Sequence, residues 1–342
     1  MRRHYFFISC LLVLVSCSNE RQANQQWVHS ELSSYAAAFS PNGKYVLVGD
    51  TDAPARLWDI EKNKVIYSWQ NEETSAGTTT SVAFSGDGKV AATAEVNTLV
   101  FWEVATGEPM MRVAFPVRIK SMALSRHGDY VLLALQDRTA VYFDIIENRV
   151  VHIFRHSGET VNSPIDQLVN AVAISPSGKY ALTGGDDQLA RLWSLETGKQ
   201  LRQWRHNNGV NIVAFYPRGG YILSSAGNDE THFWQIKSGK KKYSLRLASW
   251  PDDWPLPDFP SFKLTVSAID FSADHKYLVT GHPSQLICLW RVVDGEKIDC
   301  WRAARRGLLA PGVVLQAVAF SNDGRAVYTE SGNGLGQKWQ FQ

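Results

Sequence analysis

The chain has 342 residues, of which 44% are hydrophobic and 20% charged, a composition typical of a globular protein with a large buried core. Its 35 basic and 33 acidic side chains leave a net charge of +2, which argues against a nucleic-acid-binding surface because such a surface needs a clustered basic face. The 12 Trp residues indicate that one large aromatic side chain recurs at a structural position.

The N-terminal segment predicts export. Residues 2–4 (Arg-Arg-His) form a basic region before the apolar stretch 5–15, which is too short to span a bilayer about 30 Å thick and is typical of a signal peptide. The stretch ends in Leu14-Val15-Ser16-Cys17, which resembles the lipobox of bacterial lipoproteins. The resemblance implies a signal peptide over 1–16 and acylation of Cys17; an ordinary secretory signal with an incidental cysteine is the alternative.

Ser18 follows the cysteine. In diderm bacteria of the enteric type an Asp at this place favours the inner membrane, so the resemblance implies palmitate on a periplasm-facing, lipid-anchored protein of the outer membrane, provided that the host has two membranes. Residues 17–26 are predicted to be the lipidated cysteine and a polar tether. The folded domain is predicted to cover 27–342.

One unit recurs seven times in the folded domain. It consists of a small-apolar-Ala-Phe-Ser-x-x-Gly segment, a short apolar run, a turn, and an apolar strand that ends in an aromatic residue. The Phe position falls at Phe39, Phe84, Leu124, Ile174, Phe215, Phe271 and Phe320. The terminal aromatic falls at Trp58, Trp102, Phe143, Trp193, Trp234, Trp290 and Trp339. The two series advance together, and turn residues between the apolar runs predict four short antiparallel strands per unit.

The end of the unit is specific. Ala55-Arg56-Leu57-Trp58-Asp59 and Ala190-Arg191-Leu192-Trp193 resemble the Trp-Asp end of WD (WD40) repeats, and the resemblance extends over about 27–342. It implies an all-β fold, a seven-bladed β-propeller of four-stranded antiparallel blades. The last unit lacks an outer strand, and residues 26–29 are predicted to supply it and close the ring.

The family also places polar residues in each blade. Its turn Asp, six residues before the terminal aromatic, is matched by Asp52, Asp137 and Asp187. Its strand Ser or Thr is matched by Thr183, Ser224, Thr280 and Thr329, and His206 stands where a family His belongs. In the family these groups form a buried hydrogen-bond relay, so we interpret them and the repeated Trp residues as structural.

Nothing in the sequence predicts catalysis. There is no Gly-x-Ser-x-Gly, His-Glu-x-x-His, phosphate-binding Gly-rich or Cys-x-x-Cys motif, and the nine His residues have no metal-ligand spacing. A site assembled across blades from distant residues would escape such a search. We therefore predict a protein that is not an enzyme and has no metal or cofactor.

Three connections between repeats are longer than the others, at about 155–170, 246–266 and 302–316. In WD-repeat propellers such connections lie on one face, which commonly binds partners, and loops of this length tend to be functional or disordered. The second carries Trp250, Trp254 and Phe259 among prolines, and these are candidate partner-binding residues. The alternative is that they fold back as a satellite core.

The third connection carries Arg302, Arg305 and Arg306. These arginines are candidates for binding an acidic partner, or they pair with acidic residues of the second connection. Cys288 and Cys300 are left after the N-terminal segment; they lie on adjacent strands and form either a disulfide, as an oxidising compartment permits, or two buried thiols.

The resulting hypothesis is a scaffold of the bacterial envelope that binds a protein or peptide on its long-loop face. A periplasmic propeller enzyme or ligand sensor, with a site at the central channel, is the alternative. Convergent His, Asp, Glu or Arg at the channel mouth would favour the enzyme.

Overall fold

The computed structural model describes residues 21–31, 33–51, 53–71, 77–156, 168–227, 230–246, 265–304, 306 and 314–341. Several predicted site residues lie outside these ranges, namely Cys17, Asp52, Trp250, Trp254, Phe259 and Arg305. The described residues contain 28 strands in seven four-stranded antiparallel sheets, which are the blades.

Strand β1 (Gln25–Val28) precedes blade one. The strands of blades one to three are β2 (Ser34–Phe39), β3 (Tyr45–Asp50), β4 (Ala55–Asp59), β5 (Lys64–Trp69); β6 (Thr79–Phe84), β7 (Val90–Glu95), β8 (Thr98–Glu103), β9 (Pro109–Ala114); and β10 (Ile119–Leu124), β11 (Tyr130–Leu135), β12 (Thr139–Asp144), β13 (Arg149–Arg155).

Blades four to seven follow the same order, from the inner strand at the channel to the outer strand. Their strands are β14 (Val169–Ile174), β15 (Tyr180–Gly185), β16 (Leu189–Ser194), β17 (Gln200–Arg205); β18 (Val210–Phe215), β19 (Tyr221–Ala226), β20 (Thr231–Gln235), β21 (Lys241–Leu245); β22 (Ala268–Phe271), β23 (Tyr277–Gly281), β24 (Leu286–Arg291), β25 (Lys297–Arg302); and β26 (Leu315–Phe320), β27 (Ala326–Ser331), β28 (Leu335–Gln340) with β1. The predicted all-β, seven-bladed fold is confirmed.

The turn between the inner and second strands shows why the repeated Ser-x-x-Gly segment folds this way. In blade one the Ser40 hydroxyl accepts a hydrogen bond from the Tyr45 N–H (2.9 Å). Gly43 closes the turn with a φ of +63°, a left-handed conformation that only glycine adopts without strain. The turn therefore fixes the register of this inner hairpin.

The core lies between neighbouring blades. The second strand of each blade is buried on both faces, as β7 and β11 show, whereas outer strands such as β5 alternate between exposed and half-buried residues. Between blades two and three, the fully buried Phe101, Ile119 and Leu133 belong to one apolar cluster. Each such side chain stabilises the fold by roughly 1.5–3 kcal/mol through burial.

The ring is closed by the N-terminal strand, as predicted. β1 pairs antiparallel with β28, with Trp27 opposite Gly336. The strand begins at Gln25, so Gln25 and Gln26 belong to the fold rather than to the predicted tether. Arg21 also contacts the ring: its guanidinium pairs with Asp299 (3.0 Å) and lies 5.0 Å from the centre of the Trp301 ring. Cation–π and charge contacts hold this segment against blades six and seven.

A disulfide joins Cys288 on β24 to Cys300 on β25, the residues directly opposite each other in the strand register. Of the two alternatives for these cysteines, the structure has the bonded one. The described part of the chain has no helix that is long and apolar enough to cross a membrane.

The double change Cys288→Ala with Cys300→Ala is expected to lower the free energy of unfolding by about 3 kcal/mol, since the unfolded chain regains the freedom that the cross-link removes. Denaturant titrations with and without a thiol reductant measure the effect. Reductant should lower the wild-type midpoint and leave the double variant unchanged. Equal wild-type midpoints under both conditions would contradict the prediction.

Candidate functional site: the channel mouth and the blade relays

The connections between blades enter at the N-terminal ends of the inner strands, and we call this side of the ring the connection face. The second position of most inner strands holds a polar side chain at the channel mouth. This polar collar consists of Tyr35, Thr80, Lys120, Asn170, Asn211, Ser267 and Gln316, the serine lying one residue before β22. The repeat pattern did not reveal the collar, because these positions vary in chemistry from blade to blade.

Hydrogen bonds along the collar tie neighbouring blades together. The Lys120 ammonium donates to the Asn170 side-chain oxygen, and the Asn170 amide reaches the Asn211 side-chain oxygen at 3.4 Å. On the other side of the ring the Ser267 hydroxyl donates to the Leu315 carbonyl (2.8 Å). The collar can therefore offer amides, hydroxyls and one ammonium to a ligand. None of its members is a carboxylate or an imidazole, and the carboxylate bonded to it, that of Asp186, accepts a hydrogen bond from the Asn170 amide (2.5 Å).

One acidic residue lies deeper among the inner strands. Asp270 occupies the place of the alanine that precedes the Phe position in the other six repeats, for example Ala38 and Ala319. Its carboxylate accepts a hydrogen bond from the Phe320 N–H (2.8 Å), and burial raises its pKa to about 7. It borders a cavity of about 420 Å³ whose other lining residues are mostly apolar, with Ser40 and Gln316 among them. Comparing the repeats residue by residue would have found it.

Blade four contains the full relay that the family resemblance implies. The Trp193 indole N–H donates to the Thr183 hydroxyl oxygen (2.9 Å), and His156 Nε2 lies 2.7 Å from the same oxygen. His156 Nδ1 lies 2.7 Å from Arg191 Nη1 and 3.3 Å from Asp187 Oδ1. Burial, followed by the Arg191 charge, lowers the pKa of His156, although Asp187 opposes this shift. The relay is therefore a satisfied buried network.

Other blades keep parts of this relay. In blade five the Trp234 N–H donates to Ser224 (2.8 Å), which also contacts His206. In blade two the Trp102 N–H donates to Thr93 (2.8 Å), whose hydroxyl in turn donates to the Asn71 side chain.

Blade seven has the longest of these bonds, from the Trp339 N–H to Thr329 (3.4 Å). In blade one, Val48 takes the hydroxyl position, and the Trp58 N–H is buried without a hydrogen-bond partner among the described residues.

Blade six contains a relay that depends on a neutral histidine. The Trp290 N–H donates to Thr280 (2.9 Å), and Thr280 is bonded to His282 Nε2 (3.0 Å). His282 Nδ1 lies 3.0 Å from the Thr265 carbonyl, which can only accept. The proton is therefore on Nδ1, and Nε2 accepts the Thr280 hydroxyl proton. Burial lowers the pKa of His282 to about 4.

The sequence search missed His156, His282 and Asn71. In the family pattern the histidine stands at a fixed distance before the inner-strand Phe position, and this distance locates His206, nine residues before Phe215. His156 stands 18 residues before Ile174 because a long connection intervenes. His282 lies in the turn after β23, in a place that the family pattern does not use.

The predicted structural residues lie where the repeat places them. Trp58, Trp102, Trp193, Trp234, Trp290 and Trp339 are all on third strands. Asp187 is buried in its turn, and Asp137 is exposed and accepts a hydrogen bond from the Thr139 N–H (3.1 Å).

Two of the predicted partner-binding arginines are described. Arg302 donates to the Ser284 carbonyl (3.0 Å). Arg306 donates to the Ser30 and Glu31 carbonyls and pairs with the Glu31 carboxylate (3.0 Å). Arg306 thus anchors the third connection to the segment before blade one. Among the described residues, no group of three His, Cys, Asp or Glu side chains is arranged to hold a metal ion.

Comparison with known proteins agrees with this architecture. Residues 151–194 and 257–291 match the family profile "WD domain, G-beta repeat". The chain is 25% identical over 169 residues to GID complex subunit 7 of Schizosaccharomyces pombe, covering 47% of this chain and 31% of that protein. It is 26% identical over 192 residues to autophagy-related protein 16 of Arabidopsis thaliana, covering 55% of this chain and 34% of that protein.

A shorter match, 56% identical over 36 residues, links it to ribosome biogenesis protein erb1 of Botryotinia fuckeliana, covering 10% of this chain and 5% of that protein. The chain thus spans about a third of the length of the first two relatives. The profile matches and the seven-bladed ring together support a WD40 β-propeller.

His282 is expected to contribute a loss of stability as the pH drops from about 6.5 to about 4, whereas Asp270, whose pKa is raised on folding, contributes in the opposite direction. Over this range His282 takes up a proton in the unfolded chain but stays neutral in the folded chain. This difference lowers the free energy of unfolding by up to roughly 3 kcal/mol, at 1.4 kcal/mol per pKa unit. Relative to wild type, His282→Gln should lose the part of the acid-induced fall in the unfolding midpoint that His282 contributes. The matched change His127→Gln, at an exposed histidine, should leave it unchanged. Equal slopes for wild type and His282→Gln would contradict the assignment.

Proposed function

We propose that the protein is a membrane-anchored scaffold of the bacterial envelope that holds a protein or peptide partner on its connection face. The observation that carries the proposal is the grouping of the three long connections. They join β13 to β14, β21 to β22 and β25 to β26, so all three begin and end on the connection face around the polar collar. One similar protein is named as a subunit of a complex, which supports a protein partner.

The chemistry of the collar supports binding rather than catalysis. Its amides and hydroxyls suit backbone groups of a bound segment, and Lys120 adds one positive charge. Asp270 is the observation that favours the alternative of an enzyme or ligand sensor at the channel, because an acid with a pKa near 7 can exchange protons at neutral pH. The hydrogen bonds described for its carboxylate come from the backbone N–H groups of Phe320 and Phe271, and neither of these can serve as a second reactive group.

The envelope part of the proposal comes from the N-terminal segment and the disulfide. The Leu-Val-Ser-Cys sequence at 14–17 resembles a lipobox, and disulfides persist in oxidising compartments such as the periplasm. The ordered contacts of Arg21 start four residues after Cys17. An acyl anchor on Cys17 would therefore hold the ring close to the membrane, with blades six and seven nearest to it.

Cys17→Ser is expected to abolish lipid attachment, because the thiol is the acylated group. Metabolic labelling with an alkyne palmitate in a diderm host, followed by separation of inner and outer membranes, measures the effect. Wild type should be labelled and sediment with the outer membrane, whereas the variant should be unlabelled and released. Cys10→Ser is the matched control and should behave as wild type. Labelling that survives Cys17→Ser would contradict the anchor.

The triple change Trp250→Ala, Trp254→Ala and Phe259→Ala is expected to remove a crosslinked envelope partner, because large aromatic side chains dominate interface energetics. In-cell crosslinking and affinity capture, compared with wild type, measure the loss. A matched control changes three exposed residues to alanine: Ile146 in the turn before β13, and Val150 and Ile153 on that outer strand. A partner that survives the first triple change, with the variant's melting temperature lowered, would show that the aromatic residues are core.

A further inference from the structure

The turns between inner and second strands depart from the repeat at two places. Five blades have both Ser and Gly in this turn, whereas blade five has Tyr216 in place of the serine and blade six has His275 in place of the glycine. His275 adopts a φ of +60°, a left-handed conformation that disfavours a side chain by roughly 1 kcal/mol. Strained residues of this kind concentrate at functional sites.

The two departures meet each other. The Tyr216 hydroxyl donates to the His275 carbonyl (3.1 Å), and the two ring centres lie 6.3 Å apart. The Tyr216 ring also packs edge-on against Phe271 at 5.6 Å. In blade six the turn serine accepts the N–H of Tyr277 (2.9 Å), a bond that a tyrosine at position 216 does not make in blade five. Tyr216 therefore builds a contact between blades instead of stabilising its own turn.

Together these residues form one wall of a cavity of about 390 Å³ between blades five and six. Phe233 is fully buried at its base, Tyr221 lines it, and Tyr277 and Val293 form an exposed apolar rim. The cavity lies at the turn ends of the strands, opposite the connection face. Its size and aromatic lining suit one large apolar side chain together with a short length of backbone.

The edge of the cavity carries an excess of positive charge. Lys276 and Arg291 also line it, but they pair with Asp274 and with Asp294 and Glu296. Two further cations have no such counterion in the described structure: Arg218 donates to the Asp274 carbonyl (3.0 Å), and the Lys242 ammonium lies 4.8 Å from the centre of the Tyr221 ring.

Three more lysines stand in the adjoining turn and strand, at 237, 240 and 241. The only acidic residues between 216 and 242 are 229 and 230, at the opposite end of β20.

We propose that this cavity is a second binding site, which takes an acidic peptide segment of a partner protein with one aromatic side chain inserted between the tyrosines. The aromatic ring fills the apolar cavity while flanking carboxylates meet Arg218 and Lys242. A membrane or a nucleic acid fits less well, because the acidic residues of blade six interrupt the basic surface on one side of the cavity. The site is independent of the partner proposed for the connection face.

A related groove between blades three and four serves as an internal comparison. It is larger, about 640 Å³, and contains Tyr130, Tyr180 and Lys179. Glu196 stands in its wall and Arg149 pairs with Glu147 at 2.7 Å, so this groove lacks the excess of free cations. Lys179 is therefore a suitable position for a matched control.

The test uses the full chain and fluorescein-labelled peptides in anisotropy titrations. The probe is Asp-Glu-Asp-Phe-Asp-Glu, compared with the same peptide carrying Ala for Phe and with one carrying Lys at each acidic position. The Phe peptide is expected to bind about tenfold more tightly than the Ala peptide, as for an anchoring aromatic residue, and the Lys peptide should not bind. Lys242→Glu and Arg218→Glu should each weaken binding of the Phe peptide about tenfold, whereas Lys179→Glu should not.

Two further variants separate binding from folding. Tyr216→Ser and His275→Gly give the turns the residues that the other blades have. His275→Gly should keep or raise the melting temperature, because glycine relieves the left-handed strain. Tyr216→Ser should lower it while the protein stays folded, because the packing against Phe271 and the bond to the His275 carbonyl are lost. Both variants should bind the Phe peptide more weakly than wild type does. The triple change at 250, 254 and 259 should leave this binding unaltered, so failure of the connection-face proposal is distinguishable from failure here.

Three results would overturn the proposal. The first is equal affinity for the Phe and Ala peptides, which would mean a charge effect without the cavity. The second is no binding of the Phe peptide up to a concentration on the order of 1 mM, together with binding of heparin, duplex DNA or phosphatidylglycerol vesicles; this would assign the surface to polyanions or membranes. The third is undiminished binding by the folded Tyr216→Ser variant.

Discussion

The structure depends on burying an indole N–H inside most blades without leaving it unpaired. Each tryptophan at the end of a third strand carries a polar atom into the space between two sheets, where a lost hydrogen bond is expensive. A hydroxyl on the neighbouring strand accepts it, and in blades two, four, five and six a histidine or asparagine at the connection face then completes the relay. Blade one is the exception, since Val48 replaces the hydroxyl. There the indole lies 4.8 Å from the ring of His29, which is itself bonded to Glu330 in blade seven.

Much of the fold could be predicted because the same sequence pattern occurs seven times in the chain. The paired positions of the inner-strand Phe and the terminal Trp identified every blade, and the missing outer strand of the last repeat identified the role of residues 26–29. The relay histidines were harder to predict. His156 is separated by a connection of variable length from the inner strand of its blade, so a fixed distance to that strand does not locate it. Long-range contacts such as those of Arg306 with Ser30 and Glu31 have no local signal at all.

The candidate sites also differ in whether a local sequence signal identifies them. The prediction of a binding site on the connection face rested on the length of three connections and on the aromatic residues of one of them. Both features can be read directly from the sequence. The cavity between blades five and six is bordered by Tyr216 and His275, two departures from the repeat that lie in different blades. Their relation is visible only in the folded ring, where the two residues contact each other. Asp270 belongs to the same class. In a repeat protein the places where one copy departs from the others therefore deserve the same scrutiny as the repeat itself.

Ring closure by β1 has a consequence for how the chain reaches its final form. The contact between Asn24 and the Gln340 N–H spans 316 positions, so the seventh blade cannot be completed until all the residues between these two are present. Until then β28 has no outer neighbour and β1 has nothing to pair with. Contacts this distant in sequence form slowly, and an unpaired strand edge invites association with other chains. A chain that is synthesised N-terminus first must therefore keep β1 available for pairing until β28 has been made.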